Sequence, residues 1–117
     1  MLSKILDGLT PKYNEVNFSG VTMGTLIKAT VFILGKVVFF RIHVKNSNNL
    51  SDNSTAFWGF IEPTYRPRGY VAQGVGMAGS ALLYLSIRNT GATSIVLKGG
   101  GVNANSSIIV TSTYFIN

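Results

Sequence analysis

The chain has 117 residues, which suits one domain with a single core, and it contains no cysteine, which excludes disulfides and thiolate metal sites within it. Hydrophobic residues make up 46% and charged residues only 12%, so disorder is not expected, and such a weakly charged surface is typical of proteins that other chains cover in an assembly. The net charge of +6 comes from basic residues that are mostly scattered singly, which disfavours a dedicated nucleic-acid interface but allows a general attraction to anionic polymers.

The N-terminal segment is predicted to lie apart from the main domain. Four apolar residues fall at helical spacing: Leu2, Ile5, Leu6 and Leu9. They span about two turns, which fits either a frayed terminus or the end of a stalk helix that oligomerises beside a head. Residues 11–24 are polar, with a possible short strand over 15–18. We therefore expect a stalk or linker over residues 1–24 and a head domain over residues 25–117. The first residues lack the long apolar region of a secretory signal.

From residue 28 onward, apolar and polar residues alternate with a period of two, which predicts β-strands separated by turns. The predicted strands cover residues 28–34, 37–45, 57–62, 69–76, 82–88, 94–98 and 107–116. Within residues 37–45, the alternation places four apolar side chains on one face and Arg41, His43 and Lys45 on the other. About eight short strands predict an all-β fold, an antiparallel β-sandwich or barrel.

Catalytic groups are sparse in this sequence. It has four acidic residues, none near another along the chain, and a single histidine, His43. A glycosidase needs a pair of carboxyl groups, and a Ser-His-Asp set would need a nucleophile-elbow pattern that the sequence lacks. One histidine without any cysteine does not suit a zinc site. We therefore expect a protein that is not an enzyme and that uses no cofactor and no metal.

Residues 74–79, Gly-Val-Gly-Met-Ala-Gly, match the dinucleotide-binding pattern G-x-G-x-x-G. That pattern requires a turn that opens a helix, with an acidic residue further along the chain. Here it leads into a predicted strand, and no acidic residue follows Glu62. We interpret the segment as a flexible hairpin loop. The longest apolar stretch, residues 29–40, is too short to span a membrane.

The most informative stretch, residues 57–71, runs from an aromatic strand into Pro63 and Pro67. A proline fixes its own backbone and pushes the residue before it to an extended conformation, so Glu62 and Arg66 are predicted not to be helical. The stretch is therefore predicted to form a rigid corner.

With its neighbouring motifs, this corner resembles the receptor-binding head domains of tails and baseplates in phages of Gram-positive bacteria (siphophages). Four pieces carry the likeness: Gly35-Lys36-Val37-Val38 for the family's G-x-V-V, Ile61-Glu62-Pro63-Thr64-Tyr65-Arg66-Pro67 for L-P-x-x-Y-R-P, Leu85-Ser86-Ile87-Arg88-Asn89-Thr90-Gly91 for I-x-I-x-x-x-G, and Thr113-Tyr114-Phe115 for the closing strand. The likeness covers residues 28–117. One departure is Glu62, where the family often has leucine, which indicates a more polar corner.

The resemblance implies a compact, non-catalytic β-sandwich or barrel that forms a homotrimer and adheres to a host cell-wall saccharide or teichoic acid. Its partners would be that polymer and other baseplate or tail proteins, with no nucleic acid and no membrane insertion. Its location would be the virion tail, assembled in the cytoplasm of the bacterial host. Two alternatives stay open: a purely structural baseplate or tail protein, and a carbohydrate-binding module of a wall hydrolase.

The candidate ligand-binding residues can stack on a sugar or bind its hydroxyl and phosphate groups: Trp58, His43, Tyr70, Arg68, Arg66 and Asp52. Aromatic rings offer an apolar face to a sugar, and a guanidinium can hold a phosphate with two hydrogen bonds. Other interpretations remain for three of them: Trp58 packs in the core or an interface, His43 is a surface or interface residue, and Arg66 ties the corner to a neighbouring strand. The family's sugar-contacting residues vary, so the resemblance itself assigns none of the six.

Overall fold

The structure is a computed structural model that describes residues 10–117, and their regular structure is antiparallel β apart from one 3-10 helix, Pro63–Tyr65. The strands are β1 (Lys12–Glu15), β2 (Phe18–Met23), β3 (Thr25–Leu34), β4 (Val37–Lys45), β5 (Thr55–Ile61), β6 (Val71–Ala78), β7 (Ala81–Arg88), β8 (Ala92–Lys98) and β9 (Ser107–Phe115). The predicted all-β fold is confirmed. The helical turns predicted at the N-terminus fall on residues 1–9, which lie outside the described residues.

All nine strands belong to one sheet, in the order β1-β3-β4-β9-β6-β7-β8-β5-β2. The sheet curls so that one of its faces encloses the core. The ring of Phe18 in β2 packs against Phe40 of β4 and Phe57 of β5, with centroid distances of 6.3 and 5.5 Å. Since β2 and β4 are far apart in the strand order, only a curled sheet brings these rings together.

β4 and β9 show how the alternation of side chains builds the core. Their inward side chains include these buried residues: Val38, Phe40, Ile42, Val44, Ile108, Val110 and Tyr114. Arg41 and Lys45 point outward and are exposed, and His43 is half-buried. The predicted division of residues 37–45 into an apolar face and a polar face is therefore confirmed. Each large apolar side chain buried this way contributes about 1.5–3 kcal/mol relative to an exposed one.

One segment of the chain supplies both edges of the sheet. β1 pairs with β3 and, after only Val16 and Asn17, β2 pairs with β5 at the opposite edge. The Val16 N–H donates to the Ala29 carbonyl at 2.8 Å, and the Glu62 N–H donates to the Asn17 carbonyl at 3.1 Å. The strand predicted over residues 15–18 is wrong, because the crossing between two strands lies there. The division of the chain into stalk and head stays a prediction, with β1 and β2 built into the same sheet as the other strands.

Gly74 and Gly76 of the G-x-G-x-x-G pattern lie within β6, beside β9. A Cβ on either glycine would collide with the β9 backbone, at Gly74 with the carbonyl oxygen of Thr111. The interpretation of residues 74–79 as a flexible loop is wrong for most of this segment, because only residues 79 and 80 form the turn into β7. A strand follows that turn, so the segment opens no helix for a pyrophosphate. The two glycines instead allow β6 and β9 to approach closely.

Candidate functional site

The proline corner lies at one end of the curled sheet, which we call the corner end. The turn between β3 and β4, the turn between β7 and β8, and the last residues of β9 also lie at this end. Backbone hydrogen bonds join these parts: Arg68 N–H to Phe115 O at 2.7 Å, Ile116 N–H to Lys36 O at 2.9 Å, and Asn89 N–H to Tyr70 O at 3.1 Å. The corner end is therefore a continuous surface built from several separate parts of the sequence.

Buried side chains anchor the proline corner in the core. Tyr65 ends the 3-10 helix, and its carbonyl oxygen accepts a 2.7 Å hydrogen bond from the buried hydroxyl of Tyr114. Burial raises the pKa of Tyr114 well above the ordinary tyrosine value, so this hydroxyl stays protonated and can donate. Glu62 and Arg66, on either side of the helix, have extended backbone with ψ of 149° and 141°, as the prolines predict.

Arg66 ties the corner to its neighbours. Its Nε donates to the carbonyl oxygen of Ile61 at 3.1 Å. Its guanidinium also lies against Gly91 in the β7–β8 turn, where φ is +96° and a Cβ would come within 2.6 Å of Arg66 Nε. Glycine is therefore required at position 91 for both its conformation and its size. The two terminal nitrogens of Arg66 make no hydrogen bond within residues 10–117.

Two further arginines lie over aromatic rings at the corner end. The guanidinium carbon of Arg68 is 5.3 Å from the ring centroid of Phe115, and that of Arg88 is 5.8 Å from the ring centroid of Tyr70. An Nη of Arg88 also lies 3.5 Å from the Tyr70 hydroxyl. Cation–π contacts of this kind fix the position of a guanidinium without using its N–H groups as donors. Arg68 makes no side-chain hydrogen bond within residues 10–117 and keeps its donors for a ligand, and Arg88 keeps those that do not reach the Tyr70 hydroxyl.

Arg66 and Arg68 share a cavity of about 430 Å³, which we call the corner pocket. It is lined by Pro63, Thr64, Arg66, Pro67, Arg68, Asn89 and Asn117. No acidic residue is part of this lining. Glu62 is next to it in sequence, but its carboxylate accepts a 2.6 Å hydrogen bond from the Asn17 N–H at the β1–β2 crossing. The corner pocket can thus offer hydrogen-bond donors and positive charge to an anion, with no Asp or Glu side chain in its wall.

Three of the six predicted site residues, Arg66, Arg68 and Tyr70, come together at the corner end, and His43 does not. His43 lies on the outer face of β4, between its register partners Lys28 in β3 and Ile109 in β9. Its Nε2 is buried without a hydrogen-bond partner within residues 10–117. His43 is therefore a separate feature of the outer face.

Trp58 also lies on the outer face, in β5. Its side chain is 37% exposed, and its ring meets that of Phe60 edge-on at a centroid distance of 6.2 Å. The inward face of β5 is formed by Phe57, Gly59 and Ile61. A place for Trp58 inside the core is therefore excluded, and its ring is accessible to a ligand or to another chain.

Asp52 lies in the loop between β4 and β5, at the opposite end of the sheet. Its Oδ1 accepts a 2.8 Å hydrogen bond from the Gly99 N–H, which ties this loop to the loop between β8 and β9. Asp52 and the corner residues are thus at different ends of the molecule. The hydrogen bond of Asp52 holds these two loops together.

Arg88, Asn89 and Phe115 complete the corner end and were not among the predicted site residues. The sequence offers one signal for the first two, because Arg88 directly precedes a tight turn and Asn89 begins it, so both must lie at an end of the sheet. Which turn lies beside the proline corner depends on the order of strands, which the local sequence does not specify. Phe115 was predicted only as part of the closing strand.

The part of the chain that the structure describes offers no metal site and no membrane-spanning helix, and the sequence matches no known family that would assign a function. Within residues 10–117, no group of three or more His, Cys, Asp or Glu residues is arranged to hold a metal ion. The same part of the chain contains no helix long and apolar enough to cross a membrane. The chain matches no protein-family model and none of the curated proteins with which it was compared.

Proposed function

We propose that this protein is a non-catalytic head of a phage tail or baseplate that adheres to a phosphate-bearing saccharide polymer of the host cell wall, such as a teichoic acid. The observation that supports this proposal most directly is the corner pocket, where Arg66 and Arg68 line a cavity free of acidic residues. The resemblance of residues 61–67 to the corner of phage receptor-binding heads supplies the biological setting.

The chemistry of the corner pocket matches the two parts of such a polymer. The free N–H groups of Arg66 and Arg68 can donate to a phosphate, and charge-assisted bonds of this kind are about twice as strong as neutral ones. Asn89 adds an amide in the same wall, suited to sugar or glycerol hydroxyls. The ring of Tyr70, 69% exposed, offers a surface on which a sugar can stack. The net charge of +6 attracts a polyanion at longer range.

We further propose that the heads associate as a homotrimer through the outer face of β6, β7 and β9. Exposed apolar side chains lie there on adjacent strands, and we call them the outer patch: Val75, Met77, Tyr84 and Ile109. Met77 is 65% exposed. Apolar patches of this kind mark surfaces that another chain covers. Closed symmetry is the usual way in which identical chains cover such a patch.

Light scattering tests the assembly. The wild type should have a trimer mass at micromolar concentration, and Met77→Glu should shift it to a monomer, because the new carboxylate would be buried without a partner. Asn14→Glu, which adds the same charge on the exposed β1 strand, is the matched control and should remain a trimer. A monomeric wild type would refute the trimer. A Met77→Glu variant with a trimer mass would show that the interface does not lie at the outer patch.

Binding to poly(glycerol phosphate) tests adhesion, with dextran as the uncharged comparison. The wild type should bind the phosphate polymer at about 50 mM salt and release it as salt rises. Arg68→Ala should weaken binding about tenfold, the loss expected for one charge-assisted contact. Arg41→Ala removes an exposed arginine from the middle of β4 and is the matched control. Equal losses in the two variants would mean attraction by net charge alone and would refute the corner site. A wild type that binds no phosphate polymer would refute adhesion through the corner pocket.

A further inference from the structure

The end of the sheet opposite the corner contains a second cavity, of about 370 Å³, which we call the loop-end pocket. Its walls come from the β2–β3 turn, the start of β5 and the loop over residues 46–54. No charged residue lines it, in contrast to the two arginines of the corner pocket. The two cavities therefore differ in the ligand chemistry that they can accept.

The loop-end pocket is preformed, because hydrogen bonds from one buried side chain fix its wall. Asn46 donates through Nδ2 to the carbonyl oxygens of Asn48 and Asn103, each at 2.8 Å. Its Oδ1 accepts from the Ser106 N–H at 3.1 Å. These bonds join the loop over residues 46–54 to the loop between β8 and β9. A wall that is ordered before a ligand arrives reduces the entropy that binding costs.

Two backbone hydrogen bonds reinforce that wall. Leu50 and Val102 exchange them at 2.7 and 3.1 Å. The Asn49 side chain adds a third connection, because its Oδ1 accepts from the Ala104 N–H at 2.8 Å. The loop over residues 46–54 is therefore held along much of its length.

The pocket also presents polar side chains that the fold does not use. Thr22, Ser47, Asn48 and Thr55 line it, and their side chains make no hydrogen bond within residues 10–117. Three hydroxyls and one amide supply both donors and acceptors but no charge. This combination suits a ligand with several hydroxyl groups. It suits a phosphate poorly, because no cationic group is present to offset the desolvation of an anion.

An apolar surface continues from the pocket along the outer face. Met23 lines the pocket, is 45% exposed and is the register partner of Trp58 in β5. The Trp58 indole is held edge-on against Phe60 and leaves part of its surface to solvent. A sugar ring has an apolar C–H face that packs on such a surface while its hydroxyls reach polar groups nearby.

We infer that the loop-end pocket, together with Met23 and Trp58, is a binding site for an uncharged oligosaccharide. The first sugar occupies the pocket against Thr22, Asn48 and Thr55, and a following sugar lies on Met23 and Trp58. This site is separate from the corner pocket and does not depend on phosphate binding there. It also gives Trp58 the stacking role that its residue type indicates.

Amide chemical-shift mapping with three probes tests the inference: chitotetraose, maltotetraose and inorganic phosphate. At about 10 mM, ten times a dissociation constant of 1 mM, at least one of the two saccharides should shift the amides of residues 22–24 and 47–50. Phosphate should instead shift those of Arg66, Arg68, Gly69 and Asn89. The protein has a single tryptophan, so the emission of Trp58 should change with the saccharide and not with phosphate.

Variants decide whether the shifts report this site. Asn48→Ala and Trp58→Ala should each weaken saccharide binding about fivefold or more, whereas Thr111→Val on the distant outer face of β9 should leave it unchanged. Thr22→Val, which keeps the shape of threonine, serves as the second variant if Trp58→Ala fails to fold. The inference is overturned if neither saccharide shifts the loop-end amides. It is also overturned if Asn48→Ala, Trp58→Ala and Thr22→Val all bind the saccharide as tightly as the wild type. If phosphate shifts no amides at the corner end while a saccharide shifts the loop-end amides, the result counts against the corner pocket and supports the loop-end site.

Discussion

At the corner end, two prolines and the hydroxyl of Tyr114 hold the backbone, whereas at the loop end the side chain of Asn46 holds two loops together. Both ends present a fixed cavity, but the groups left over for a ligand differ. The corner keeps guanidinium groups beside aromatic rings, and the loop end keeps hydroxyls and amides beside Met23 and Trp58. A rigid end can thus be built in two ways, and the polar groups left unused suit an anion at the corner end and an uncharged ligand at the loop end.

Removing the anchor of the loop end should have the largest effect on stability. Asn46→Ala leaves two carbonyl groups and one N–H without their partner in a site where Asn46 is buried. We expect a loss of about 3 kcal/mol in the free energy of unfolding, measured by urea titration. Asn48→Ala, exposed and not hydrogen-bonded through its side chain, should change stability by less than about 0.5 kcal/mol. A similar small loss in both variants would show that Asn46 is not the anchor.

The anchor of the corner can be tested through the glycine that faces Arg66. Gly91→Ala combines a positive φ with a collision against the Arg66 guanidinium, so we expect a loss of about 2 kcal/mol. Gly99→Ala is the control, because φ there is +88° but no atom lies within 4 Å of the new methyl group. The difference between the two variants in urea titrations isolates the contact with Arg66. No difference would mean that the guanidinium moves aside freely.

Tyr114→Phe should cost about 1 kcal/mol, the usual value of one hydrogen bond, because Tyr65 then loses its partner. The effect should depend on pH. Burial raises the pKa of Tyr114 in the folded state, so near pH 10 the unfolded chain ionises this hydroxyl while the folded chain does not. Stability from this group is therefore full below pH 10 and is lost as pH rises above it. Urea titrations at pH 8 and about pH 10.5 should show a steeper loss in the wild type than in the variant.

Asp52→Ala should have the smallest effect on the two sites. Its carboxylate holds the Gly99 N–H but lines neither the corner pocket nor the loop-end pocket. We expect about 1 kcal/mol or less in stability and no change in the binding of poly(glycerol phosphate) or of either oligosaccharide. Calorimetric titration with these probes is the measurement. Lost binding with intact folding would restore Asp52 as a direct ligand contact, as its residue type had indicated.

Strands with one buried face could be read from the sequence. The alternation over residues 37–45 matches β4, and the run ending at Arg88 matches β7, because burial on one side imposes a period of two. β1 and β2 could not be read this way. Every residue of β1 is exposed, and β2 is exposed throughout except for Phe18, so no alternation marks them. Their place at the sheet edges follows from pairing with distant strands.

The two sites likewise contain residues that the sequence could predict and residues that it could not. Arg66, Arg68 and Tyr70 lie near one another in sequence, and Pro63 before them and Pro67 among them predict a rigid local structure. Arg88 reaches the same end only through the order of strands, which no local pattern contains. Asn46 is one of several polar residues in its loop, and nothing in its sequence context distinguishes the one that is buried.

The position where β1 begins decides which end of the fold would face an assembly that holds the protein through the residues before Lys12. Lys12 pairs with Ile33, next to the β3–β4 turn, so the chain enters the fold at the corner end. An assembly that holds the protein through the residues before Lys12 would keep the corner pocket on its own side and point the loop-end pocket outward. With this attachment, the loop-end pocket would reach a distant surface first. Arg66 and Arg68 in the corner pocket would contact that surface only on closer approach.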